Sequence, residues 1–111
     1  MRLSPLENLL IDRLAGRLPP GVAEVFVFGS RARGRSGPDS DLDVALVVGD
    51  GWSGDQRAFE RAVAGLAFDL ADEVAGGEIA LQLVPIFPGD RRLPLWKEIQ
   101  RDGVRVCRMK S

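Results

Sequence analysis

Two apolar, β-branched runs flank a segment rich in glycine, serine and arginine, and this arrangement constrains the fold more than any other feature of the chain. The first run, Val22–Phe28 (Val-Ala-Glu-Val-Phe-Val-Phe), and the second, residues 43–48 (Asp-Val-Ala-Leu-Val-Val), read as buried strands. Gly29-Ser30-Arg31-Ala32-Arg33-Gly34 follows the first, and Ser40-Asp41-Leu42-Asp43 opens the second. If the strands pair antiparallel, the end of one lies beside the start of the other. A Gly-Ser turn and two carboxylates then meet at one end of a sheet.

Each half of that meeting has its own chemistry. Gly29 lacks a Cβ, so backbone N–H groups can approach a ligand closely. Ser30 is expected to begin a short helical segment reaching Arg35, whose first N–H groups and positive dipole end suit phosphate oxygens. The Ser30 hydroxyl adds a donor. Asp41 and Asp43 are alternate residues of a strand and so project to one side. Two hard oxygen ligands suit Mg²⁺ (or Mn²⁺), which keeps waters and takes further ligands from substrate phosphates. Arg31, Arg33 and Arg35 lie on the intervening loop, within reach of those phosphates, and Arg33 suits an ion pair with Asp41 or another acid equally well. Read alone, Ser40-Asp41-x-Asp43 would also serve as a turn cap. Read together, the two halves point to divalent-cation chemistry on a nucleoside triphosphate.

Gly29-Ser30-x-Ala32-Arg33-Gly34 with Ser40-Asp41-x-Asp43 downstream resembles the signature of the minimal nucleotidyltransferases, within the polymerase β-like nucleotidyltransferase superfamily. The resemblance implies a nucleotidyltransferase fold. In it Gly29, Ser30 and Arg33 would bind phosphates of an NTP, and Asp41 and Asp43 would be the catalytic metal ligands. It implies transfer of a nucleoside monophosphate, AMP from ATP being the family's habit, to a hydroxyl of a partner, with loss of pyrophosphate. It also implies pairing with an α-helical HEPN-domain protein, in systems resembling toxin–antitoxin pairs. The chain departs from the family pattern in one place. Where a third carboxylate often stands on a later strand, Ile79-Ala-Leu-Gln82-Leu-Val-Pro carries Gln82. An amide offers a carbonyl oxygen but neither negative charge nor a base. Glu78 and Asp69 are the candidate substitutes. A non-catalytic nucleotide- or partner-binding module therefore stands beside the enzyme reading, and a plain structural domain stands as a third.

The remaining chain reads as helices alternating with strands, an α/β (α+β) architecture with a mixed sheet packed by helices in a single domain of residues 1–111. Ser4-Pro5-Leu6-Glu7 is a capping-box helix start, followed by an apolar stripe of Leu3, Leu6, Leu10 and Leu14. A second helix is expected over residues 55–74, with Phe59, Val63, Leu66, Leu70 and Val74 on its inner face. A strand over 79–87, a turn at 88–90, a short helix over 95–101 and a strand or tail at 104–107 complete the order. Trp96 reads as core, and Trp52 as a partly buried loop aromatic. The formal net charge of −1 gives no general attraction to nucleic acid, and Arg101, Arg105, Arg108 and Lys110 read as a solvated face or partner contact. Histidine is absent and Cys107 is the one cysteine, which excludes histidine acid–base chemistry, an internal disulfide and a cysteine zinc cluster. No long apolar run or signal-like start is present, so a cytoplasmic location is expected.

Overall fold

A computed structural model describes residues 3–34, 41–76 and 79–108. The elements run α1 (Pro5–Ala15), β1 (Val22–Phe28), β2 (Leu42–Val48), α2 (Gln56–Ala75), β3 (Leu81–Ile86), a 3₁₀ turn (Pro88–Arg92), α3 (Pro94–Asp102) and β4 (Val104–Arg108). The four strands form one mixed sheet in the order β3-β2-β1-β4, with β1 antiparallel to both β2 and β4, and β2 parallel to β3. The helix α2 makes the crossover that a parallel pair requires. No helix among the described residues is long and apolar enough to cross a membrane.

Local chemistry sets the helix ends. Ser4 caps α1 with its hydroxyl accepting from the Glu7 N–H at 3.1 Å, while Oε1 of Glu7 accepts from the Ser4 N–H at 2.8 Å. Asp55 caps α2 by accepting from the N–H groups of Arg57 and Ala58. Gly76, in the left-handed conformation, ends it.

The sheet is covered on both faces. Leu10, Ile11 and Leu14 of α1 and Phe59, Val63, Leu66 and Leu70 of α2 pack on Val25, Val27, Val44 and Leu46. On the other face Ile99 of α3 packs on Phe28, Ala45, Val47 and Ile86, and Trp96 meets Phe26 edge-on at 6.2 Å. Because β2 is central and buried on both sides, it is a continuous apolar run rather than an alternating one. Trp52 belongs to an aromatic cluster with Phe59 and Phe87, at ring separations of 5.6 and 5.3 Å. It lies over Gly21, whose φ of 101° and close contact with the indole admit no side chain.

Three expectations change. The stripe of α1 is rotated: Glu7 is buried at 3% exposure, whereas Leu6 is exposed. The segment after β1 is a single turn rather than a helix as far as Gly34, with the Arg33 N–H donating to Gly29 O and the Gly34 N–H to Arg31 O, each at 3.2 Å. Gly29 and Gly34 both have φ of 72°, which halts helix propagation at each end. The turn expected at 88–90 extends into the 3₁₀ turn; of the readings left open for the C-terminal segment, the strand is formed, on the β1 edge. Arg35, Ser40 and Glu78 lie outside the described residues.

Candidate nucleotide and metal site

The antiparallel register of β1 and β2 pairs Phe28 with Asp43, so the turn that leaves β1 sits directly over the start of β2. A Cβ built at Gly29 would lie 2.5 Å from Oδ2 of Asp43. A side chain at Gly29 would displace the Asp43 carboxylate, and φ of 72° at the same residue strains any residue other than glycine. Gly29→Ala is expected to lose about 1–2 kcal/mol of stability from backbone strain alone. It should also shift Asp43, and a denaturant melt combined with an ATP titration reads both effects. Ser30 follows, half-buried on the turn.

Asp43 projects from the sheet face that α3 covers, alongside Ala45 and Val47 on alternate positions. Burial pushes its carboxyl above the ordinary carboxylate value; Asp41 and then Glu98 push it the same way, against the opposing pull of Arg33. Three charged groups therefore act on Asp43: Asp41 just before β2, Glu98 on α3 and Arg33 on the turn. Gln82, which stands where a third carboxylate is expected, is in parallel register with Asp43 on the neighbouring strand and is exposed. The Leu42 N–H donates to Ala80 O at 2.8 Å, which closes β3 onto the start of β2.

The arginines divide in a way that spacing alone does not reveal. Arg31 turns inward, its Nε 2.9 Å from Oε2 of the buried Glu7, where the two meet as charges off the axis of a hydrogen bond. It braces the turn to the first turn of α1. Arg33 pairs not with Asp41 but with Glu98, Nη1 to Oε1 at 2.9 Å. Sequence reasoning missed both glutamates. Glu7 left a signal, because a charged residue within the buried stripe of a helix requires a partner; Glu98 left none. Asp69, one candidate for a third acid, faces Arg17 at 4.0 Å on α2, away from this site.

The donor set suits a hard divalent cation. Two carboxylates at one strand end offer oxygen ligands. Among the described residues no cluster of three or more acidic, cysteine or histidine side chains is placed to hold a metal. A cation at Asp41 and Asp43 would take its other ligands from water or phosphate.

The nucleotidyltransferase domain family matches residues 8–88, a span that includes both halves of the site. No curated protein is significantly similar to the chain. Among solved structures, a toxin–antitoxin complex with AMP-PNP contains a chain that is 21% identical with a TM-score of 0.64, over 92% of this chain and 73% of that one. A chain of the toxin–antitoxin MntA-HepT is 21% identical with a TM-score of 0.57, over 94% and 71% respectively. At these identities the likeness is one of fold. The family match covers most of the chain, and the chain belongs to the nucleotidyltransferase domain family.

Proposed function

We propose that the protein is a Mg²⁺-dependent nucleotidyltransferase that moves a nucleoside monophosphate, AMP from ATP, to a hydroxyl of a partner protein. The observation that supports this most is the close approach of the Gly29 backbone to the Asp43 carboxylate, which would set a phosphate-binding turn beside a cation ligand. In this reading Gly29 and Ser30 bind the terminal phosphates, Arg33 supplies a guanidinium to them, and Asp41 and Asp43 hold the cation. Mn²⁺ would fit the same oxygen donors. When bound, the cation would offset charge on the triphosphate and on the leaving group. The acceptor oxygen forms a bond to the α-phosphorus, the bond from that phosphorus to pyrophosphate breaks, and the hydroxyl proton is lost. Positioning does most of the work in such a transfer.

The partner fits a toxin–antitoxin arrangement with a HEPN-domain protein. The structural neighbours named as toxin–antitoxin complexes, one of them with AMP-PNP, support that direction.

Gln82 favours a second reading, a module that binds nucleotide or partner without transfer. It occupies the register position beside Asp43 where a third carboxylate would act, and it can neither carry charge nor accept the hydroxyl proton. Pyrophosphate release from ATP separates the two. Under the enzyme reading the wild type releases pyrophosphate with Mg²⁺, Asp41→Asn does not, and Gln82→Asp is faster. A wild type as inert as Asp41→Asn, with activity appearing only in Gln82→Asp, would establish the module reading instead.

A further inference from the structure

The geometry points to Glu98 as a positioning residue of the nucleotide site: from α3 it holds the Arg33 guanidinium beside the Asp41–Asp43 pair, ready for phosphate. This rests on the reading above and assigns a role to an element outside the motif.

The pair joins residues 65 apart in sequence, through Nη1 of Arg33 and Oε1 of Glu98 at 2.9 Å. Arg33 belongs to the exposed turn and has no strand or helix to fix it. Glu98 stands on a helix that is fixed: its neighbour Ile99 is fully buried against β1–β3, and Trp96 packs edge-on against Phe26. A residue on a packed helix therefore restrains a side chain on a turn. The contact engages one terminal nitrogen, and a guanidinium has five N–H donors in a planar fork. The rest of the fork is suited to phosphate oxygens without loss of the Glu98 contact. Both side chains are more than a third exposed, at 38% and 35%, so the pair adds little to stability. An exposed pair spanning the sheet face above Asp43 is better explained by what it orients. Arg33 stands on the turn whose Gly29 backbone abuts the Asp43 carboxylate, and α3 packs on the sheet face from which Asp43 projects, which places the pair at the site.

The test has two readouts. By low-temperature NMR, the Arg33 Nη1–Hη signals should be resolved and slow to exchange in the free wild type. They should broaden or vanish in Glu98→Gln and be at least partly restored in Glu98→Asp. By calorimetry with ATP and Mg²⁺, Glu98→Gln should bind about tenfold more weakly than wild type. In an Arg33→Ala background the same change should have no further effect. An unchanged Arg33 signal in Glu98→Gln overturns the inference, whatever the nucleotide does. So does an equal loss of affinity with and without Arg33, because Glu98 would then act through the fold. If the wild type binds no ATP, the nucleotide reading fails, and the Arg33 signal still decides whether Glu98 holds Arg33.

Discussion

Asp43→Asn is expected to lower Mg²⁺-dependent nucleotide transfer by about 10³-fold, because removing a cation ligand gives up several kcal/mol of charge stabilisation at the reacting phosphate. The same change should raise the stability of the metal-free protein. The Asp43 carboxyl is held above its ordinary value by burial, by Asp41 and by Glu98, so in the window above the unfolded value the native state binds more protons than the unfolded chain. Stability then falls as pH rises through the raised native value, and at neutral pH the ionised carboxylate is a net cost. An amide at this position carries no charge and removes that cost. Thermal melts of metal-free protein should show a higher Tm for Asp43→Asn at pH 7, with the difference shrinking as pH is lowered through the window. A Tm that drops at pH 7 would mean that Asp43 is a structural partner and not an underneutralised ligand.

Glu7→Ala is expected to cost about 2–4 kcal/mol. Part is the cap: Oε1 accepts the Ser4 N–H, a device whose loss typically costs about 1 kcal/mol. The larger part is Arg31, whose largely buried guanidinium would lose the Glu7 carboxylate. Breaking a buried pair from one side costs about 3–5 kcal/mol, less here because Arg31 is 16% exposed. Glu7→Gln keeps an oxygen for the Ser4 N–H and should lose distinctly less. Urea denaturation with an unchanged m-value checks both, and a Glu7→Ala loss within about 0.5 kcal/mol of zero would contradict the pairing. Because Arg31 follows Ser30 directly, loosening it should also weaken ATP binding, which makes α1 part of the support of the site.

The sequence made the backbone of this site legible and left its side-chain bracing hidden. The Ser4–Glu7 cap, the Asp55 start of α2, the Phe59–Leu70 stripe and both strands around the turn are local patterns, and each is present in the fold. The meeting of Gly29 with Asp43 was legible too, since antiparallel pairing of two runs fixes which ends coincide. The partners of Arg31 and Arg33 were not. Leu95, Trp96 and Ile99 mark the buried face of α3 but not where on the sheet that helix lands, and Arg33 finds Glu98 only because α3 packs across the sheet and β4 pairs beside β1. Glu7 was read as a cap alone because the stripe was drawn through Leu6; the helix turns instead so that Leu10, Ile11 and Leu14 face the sheet and carry Glu7 inward with them. The short helix expected after Ser30 fails for a local reason that was visible, a glycine at each end in left-handed backbone.

The account stands or falls on nucleotide binding at the carboxylate pair. Calorimetric titration of ATP into the protein with Mg²⁺, repeated with the metal chelated and on Asp41→Asn, tests it most directly. Saturable binding to wild type that disappears on chelation and in Asp41→Asn is the predicted result. ATP binding that survives both changes, or no binding to the wild type, would contradict it.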